Sequence, residues 1–349
     1  MWDNRFMALA RAVSLKEVAQ AAGVAVGTAS HVLNGNAAAR IALATQDRVR
    51  KAASELGYRP NRFARGLVRG RTDTLGLFVS AFRNPFFAEL AEATERATLD
   101  AGYHPLLNSA PSVRGSYKGH TKVVATELPV DGVVMWAREH QSLADVLGPL
   151  QAARMPVVYL CGAPRPDGAD GIHFDLASGV EAAAALVLER GYRRPAYVAL
   201  FASTEWLAGE ARFLGYRKAF EAAGVPLLVV ALESEEETRW AGREAGMRVA
   251  AMPAAERPDV MLCLNDVVAI GVVHGLRRAG LNVPEDVAVV GFDGIEEGQA
   301  LDKPLTTVSV PVQELATQAV TRLLARIANP DLPPEQRCIP TRLLNGETL

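Results

Sequence analysis

The sequence predicts a multidomain chain, with a small all-α head built on a helix-turn-helix and a larger α/β core of parallel sheets divided into two lobes. Three observations carry this reading. The stretch from Val13 to Asn34, VSLKEVAQAAGVAVGTASHVLN, holds two short helical patterns broken at Ala22-Gly23-Val24. Residues 1–72 carry twelve Lys/Arg against four Asp/Glu, a net of +8, while the rest of the chain carries 25 against 35, a net of −10. From Leu75 onward, short apolar runs alternate with amphipathic segments through most of the sequence. A length of 349 residues, 49% of them hydrophobic, is enough for two or three cores.

In the head, Leu15, Val18, Ala19 and Ala22 recur at i, i+3, i+4, i+7 and form one apolar stripe of a helix. Ser14 is placed to cap it, and Gly23 to turn the chain through a left-handed conformation into a second helix at Thr28–Leu33. Ala29, Val32 and Leu33 face back onto the first helix, leaving Val26, Gly27, Ser30 and His31 outward. This is the pattern of a unit whose second helix enters the DNA major groove. A helical hairpin that serves only packing would carry the same apolar positions. The charge split favours DNA, because a basic head on an acidic body is expected when only the head meets phosphates. A third helix is expected at Thr45–Leu56, then a short hinge helix at Asn61–Val68 after Pro60, then a polar linker to Asp73. Met1–Ala12 reads as a leader outside the folded head.

In the core, strands are expected at Leu75–Ser80, His104–Asn108, Gly132–Trp136, Val157–Leu160, Ile172–Asp175, Ala196–Leu200, Leu227–Ala231, Val260–Leu264 and Val287–Phe292. Helical patterns between them include Phe86–Ala101, Gly179–Arg190, Gly209–Ala223, Trp240–Ala251 and Val267–Ala279. Such alternation implies parallel sheets covered on both faces. Nine strands or more exceed one core of this length, so two Rossmann-like lobes are expected, with a ligand at the carboxyl ends of the strands between them.

The motifs VSLKEVAQAAGVAVGTASHVLNGN, LGYRPNRFARGLVRGRTDTLGL, NPFF, VDGVV, ARFLGYRKAF, LNDVVAIG and VPEDVAVVGFDG followed by PLTTV occur in this order. Together they resemble the LacI/GalR family of transcriptional repressors, from about Val13 to about Val310. The resemblance implies a core like the type 1 periplasmic binding proteins and a homodimer, or a dimer of dimers, whose paired heads read a pseudo-palindromic double-stranded operator. It implies a small effector, a carbohydrate first and a nucleobase or nucleoside second, held between the lobes. The implied domains are a head at 13–59, a hinge at 60–72 and an effector-binding and dimerisation domain at 73–349. Within the last, lobe one is about 73–174 and 309–338, and lobe two about 175–308 and 339–349.

By motif, Val26, Gly27 and His31 fall where the family reads base edges, and Lys16, Thr28, Ser30 and Asn34 where it mainly meets the backbone. His31 stands where arginine is commonest, although the purine-repressor branch also uses histidine, and Gly27 offers no side chain, so the operator cannot simply be borrowed from a better-known relative. The Asn34–Tyr58 spacing is about two residues longer than usual, and Ala42 replaces a frequent capping serine, so a loosely capped third helix is expected. Leu67 matches the hinge leucine that wedges into a minor-groove step, with Arg62 and Arg65 beside it as phosphate-neutralising or simply solvated charges. Arg212, Asn265 and Asp293 match effector-hydrogen-bonding positions, and Phe86, Phe87 and Trp240 match aromatic positions of the cleft. Each of these six also has a purely structural reading, as an ion-paired arginine or a core aromatic. Cys161 and Leu176 depart from the acidic and amide residues of the usual hexose contact set. No heptad run follows Leu344, so no helical tetramerisation tail is expected.

Other classes fit less well. There is no G-x-G, no Gly-Lys dipeptide, no GxSxG and no HExxH, which removes the common nucleotide, esterase and metalloprotease signatures. The six histidines are scattered singly, and the three cysteines, Cys161, Cys263 and Cys338, lie in or beside apolar runs without metal-ligand spacing and read as small core hydrophobes, so no metal or cofactor is expected. An enzyme with an appended DNA-binding head, or a metabolite-binding protein without DNA contact, are the alternatives. No run of about 18 apolar residues occurs, and a cytoplasmic protein without membrane contact is expected. The acidic run Glu235-Glu236-Glu237 reads as a solvated loop or helix start.

Overall fold

The computed structural model describes residues 13–34, 41–59, 70–79, 83–109, 128–136, 143–161, 168–234 and 236–349. The leader and the hinge residues Arg62, Arg65 and Leu67 lie outside these. The chain forms two compact units, Met1–Thr72 and Asp73–Leu349.

The head has three helices, α1 (Leu15–Ala21), α2 (Val26–Leu33) and α3 (Leu43–Glu55). A reciprocal capping box starts α1: Glu17 N–H donates to Ser14 Oγ at 3.3 Å, and Ser14 N–H donates to Glu17 Oε2 at 2.7 Å. Gly23 makes the turn at φ +62°, in the left-handed region glycine tolerates. Helix α2 begins two residues before the expected Thr28, from Ala25, and neither α2 nor α3 has a side-chain cap. Buried Gln46 compensates at α3 by donating to Ile41 O at 2.8 Å. Val18, Ala19, Ala29, Val32, Val49, Ala52 and Ala53 form the centre of the head, small residues that let three short helices approach closely.

The second unit holds two six-stranded sheets. Its elements run β1 (Thr74–Val79), α4 (Pro85–Asp100), β2 (His104–Ser109), β3 (Gly132–Trp136), α5 (Leu143–Ala152), β4 (Val157–Cys161), β5 (Asp170–Asp175), α6 (Leu176–Glu189), β6 (Pro195–Ala199), α7 (Thr204–Gly209), α8 (Ala211–Ala222) and β7 (Leu228–Ala231). They continue with α9 (Arg239–Ala250), β8 (Val260–Cys263), α10 (Asp266–Arg278), β9 (Ala288–Asp293), α11 (Glu296–Gln299), β10 (Thr306–Ser309), α12 (Val312–Ala328), β11 (Gln336–Pro340) and β12 (Arg342–Leu344). Lobe one carries the order β11-β5-β4-β3-β1-β2 and lobe two β12-β10-β9-β8-β6-β7. All pairs are parallel except β10 with β12. Strands β4, β6, β8 and β9 are buried along their whole length, as sheets covered on both faces require.

Three departures from the sequence reading have local causes. The pattern expected as one helix over Gly209–Ala223 is split, because Glu210 is extended (φ −91°, ψ 99°) and turns its carboxylate inward while capping α8. Helix α6 starts at Leu176, capped by Asp175, whose side chain accepts from Ser178 N–H at 3.1 Å. Cys338 is exposed on edge strand β11, whereas Cys161 and Cys263 are buried as expected.

Two features make the lobes rigid. In lobe one, Arg322 and Arg326 of α12 clamp Asp170 of β5 at 2.7 and 2.8 Å. Burial alone would raise that carboxyl, but hydrogen bonds from Arg326 and Arg322 hold it below its usual range. In lobe two, α9 and α10 run parallel with their backbones touching. A Cβ at Gly242 would lie 2.2 Å from Val268 O, at Gly246 2.6 Å from Val272 O, at Gly271 2.2 Å from Arg239 O and at Gly275 2.2 Å from Arg243 O.

Candidate functional site

On the head, Lys16, Val26, Gly27 and His31 are exposed, and Thr28, Ser30 and Asn34 half-buried. Nothing lies within 4 Å of a Cβ built at Gly27, so α2 presents bare backbone there. Asn34 Nδ2 donates to Ser30 Oγ at 3.0 Å, holding those two side chains together one turn apart.

In the second unit, the expected effector residues gather where strands end. Asn84 begins the assembly by capping α4: its Oδ1 accepts from Phe86 N–H at 3.0 Å. Its Nδ2 reaches from lobe one to lobe two and donates to Asp293 Oδ2 at 2.9 Å. The first turn of α4 brings Phe86 and Phe87 onto Trp136 at the end of β3, with ring centroids 5.2–5.4 Å apart and edge-to-face. Trp136 stacks on Phe174 at 6.4 Å, and Phe174 meets Phe292 of lobe two at 6.1 Å. Phe86 is fully buried in this wall, while Phe87 and Trp136 keep partial exposure.

Polar groups come from lobe two. Arg212, at the start of α8, donates from Nε to Glu210 Oε1 at 2.7 Å, from Nη2 to Glu210 Oε2 at 3.2 Å and from Nη1 to Leu264 O at 2.6 Å. Its guanidinium lies 5.3 Å over the Phe292 ring, a cation–π contact. Three fixed anchors hold it rigid. Asn265 caps α10 by accepting Val268 N–H at its Oδ1 (2.9 Å), and donates from Nδ2 to Glu237 Oε2 at 2.7 Å. Asp293 ends β9 with φ +119°, a conformation that an L side chain rarely adopts.

That strained turn is held by a residue the sequence reading missed. Buried Asp266 accepts from Gly294 N–H at 2.7 Å, Ile295 N–H at 2.9 Å and Thr307 Oγ1 at 2.6 Å. Burial pushes the Asp266 carboxyl up to about 7 against these donors. Burial, then the neighbouring Asp266 charge, drives Asp293 well above the carboxylate range, opposed by Asn84 and Arg212. The acidic run was also read too simply. Glu236 pairs with Arg83 across the lobes, and Glu237 turns to Asn265. Trp240 stands apart from the other expected residues, 68% exposed on the first turn of α9 with the Arg243 guanidinium 4.8 Å over its ring.

Two family descriptions match this chain: bacterial regulatory proteins of the lacI family over residues 14–61, and a periplasmic binding protein-like domain over residues 184–349. The HTH-type transcriptional repressor PurR of Vibrio parahaemolyticus is 32% identical over 316 residues, covering 90% of this chain and 92% of the relative. The chain belongs to the LacI family. A solved complex of the transcriptional regulator CelR with cellobiose is similar at 28% identity and TM-score 0.67, covering 97% of this chain and all of that one (100%). The Lac repressor dimer bound to operator and the anti-inducer ONPF shares the fold at TM-score 0.80 and 21% identity, covering 97% of this chain and 99% of that one.

This LacI-family member is therefore a DNA-binding transcriptional regulator with an effector-binding core. Among the described residues, no helix is long and apolar enough to cross a membrane.

Proposed function

We propose that this LacI-family regulator is a cytoplasmic repressor that binds a pseudo-palindromic operator as a homodimer, and that a carbohydrate bound between the lobes controls its operator affinity. The observation that carries the effector half is the convergence of Asn265 and Asp293 at the ends of β8 and β9 with Arg212 of α8, which reaches Leu264 O, in the lobe that meets the aromatic wall of Phe87, Trp136 and Phe174 through Asn84 and Phe292. Fixed donors and acceptors beside flat apolar faces suit a hydroxyl-rich ring. The CelR–cellobiose complex supports the same class of ligand. A nucleobase or nucleoside is the second reading, favoured by the likeness to PurR and by the stacked aromatic wall.

For DNA, Val26, Gly27 and His31 read base edges and Lys16, Thr28, Ser30 and Asn34 fix register on phosphates, with Leu67, Arg62 and Arg65 serving the hinge. The head spans 13–59, the hinge 60–72 and the effector-binding and dimerisation domain 73–349. The dimer reported for the Lac repressor on its operator supports this arrangement. The repressor relatives argue for regulation without catalysis. Ligand and operator affinities are linked, so each must alter the other by the same factor.

A mobility-shift assay against genomic fragments tests the first half: a fragment retained against competitor DNA is expected, and no preference above nonspecific binding overturns the reading. Leu67→Ala is expected to weaken operator binding while leaving sugar affinity unaltered; unchanged operator affinity removes the wedge. A melting-temperature screen over sugars and nucleosides tests the second half, because a ligand at 100 times its Kd adds about 2.7 kcal/mol of stability. Conversion of any of these ligands to product would replace the regulator reading of the core with an enzymatic one.

A further inference from the structure

Among the described residues, the expected effector set carries one arginine, and that arginine is already neutralised. Arg212 makes a two-point ion pair with Glu210, a carboxylate only 2% exposed that cannot turn to solvent. Among the described residues flanking the strand ends, Arg83 pairs with Glu236 and Arg239 with Glu297 at 3.6 Å. Against these stands the carboxylate of Glu237; Asp293 beside it is pushed toward its uncharged form by burial and brings no cation. The N-termini of α9 and α10, which lie side by side, contribute a partial positive charge of about half a unit each. They are met at once by Glu237, immediately before the Thr238 cap of α9, and by Asp266 in the first turn of α10.

Glu237 also fixes the chemistry of Asn265. The amide oxygen is committed to Val268 N–H and one amide hydrogen to Glu237 Oε2. A flipped amide would set its oxygen against a carboxylate and its NH2 against an N–H, so the orientation is determined. What Asn265 retains for a ligand is a second N–H, a donor.

We propose that Glu237 is a positioning and specificity residue of the effector site, holding Asn265 as a hydrogen-bond donor and keeping the site's charge negative, so that it takes an uncharged, hydroxyl-bearing ring and rejects phosphorylated or carboxylated analogues. This rests on the carbohydrate reading above. A phosphate beside Glu237 would meet like charge, and among the described residues at the strand ends every cation named above is already paired. At an effective dielectric of about 20, like charges 4 Å apart are disfavoured by about three orders of magnitude, which solvent screening of a half-exposed carboxylate cuts to roughly ten- to a hundredfold.

The test is calorimetric binding to the full chain of ribose, cellobiose and glucose, each beside a phosphate ester such as ribose 5-phosphate or glucose 6-phosphate. For any sugar bound, the ester is expected to be at least about tenfold weaker, with the gap narrowing as salt rises from 0.05 to 0.5 M. Glu237→Ala should lower neutral-sugar affinity about tenfold by releasing Asn265. Glu237→Gln, which can still accept from Asn265, should recover most of that loss while shrinking the ester-to-sugar gap about tenfold. An ester bound as tightly as its parent sugar by the wild-type chain overturns the proposal. So does a gap indifferent to both salt and Glu237→Gln. If no sugar and no ester binds while a nucleoside does, the carbohydrate reading falls and takes this inference with it, an outcome distinct from equal binding of both.

Discussion

The two lobes share a strand order, with an antiparallel edge strand in lobe two where lobe one has a parallel one, and treat the cleft in opposite ways. Lobe one offers Phe86, Phe87, Trp136 and Phe174, an apolar wall flanked by the polar Arg83 and Asn84. Lobe two offers Arg212, Asn265, Asp293 and Glu237, polar groups each held by at least one hydrogen bond of its own. The difference teaches a division of labour: fixed donors and acceptors discriminate, while aromatic faces add area and exclude water with little geometric demand. Where the lobes meet, Asn84 to Asp293 and Arg83 to Glu236 tie one to the other.

The comparison can be broken from its polar side first. Arg212→Ala should reduce effector affinity about a hundredfold and lower the stability of the second unit by about 3–5 kcal/mol, because Glu210 is left buried without its partner. Titration calorimetry and urea unfolding would measure the two effects. Gly242→Ala should cost about 3 kcal/mol by urea unfolding, since its Cβ would lie 2.2 Å from Val268 O and the helices must part.

A smaller effect concerns pH. With Asp266 at about 7 in the folded chain and near 3.8 when unfolded, the native state binds more protons between those values. Stability should therefore be greatest at the acid end of that window and decline by about 2 kcal/mol or more as the pH rises to 7. Asp293 contributes with the same sign. The denaturant midpoint followed from pH 5 to 8 reads this, and Asp266→Asn should flatten the slope. Smallest is the tie between lobes. Asn84→Ser keeps a capping oxygen on α4 but is too short to donate to Asp293, whereas Asn84→Ala loses both, about 1 kcal/mol further in stability. If the two variants unfold alike, the cap contributes nothing and Asn84 serves only the contact between lobes.

Much of this architecture was legible in the sequence because burial imposes period. The stripe Leu15, Val18, Ala19, Ala22 and the turn at Gly23 predicted α1 and its exit, and the fully buried strands stood out as apolar runs such as Val157–Leu160. Short strands β10, β11 and β12 lacked that signal: β11 is largely exposed, and β12 spans three residues. Glu210 sat within a helical pattern, and only its pairing with Arg212 explains why the helix breaks there. The inward turn of Glu237 and the burial of Asp266 depend on partners 28 residues away or more, which no local pattern contains.

The glycine-lined contact between α9 and α10 has a mechanical consequence. Where bulky side chains interdigitate, helices can slip by exchanging rotamers; where two backbones touch through Gly242, Gly246, Gly271 and Gly275, a shift of one residue would drive a Cβ into a carbonyl. Asn265 precedes one of these helices and Glu237 lies two residues before the other. The pair therefore keeps a constant gauge, so under the proposed role of Asn265 a pull on that residue is expected to displace both helices together instead of being lost at the joint between them.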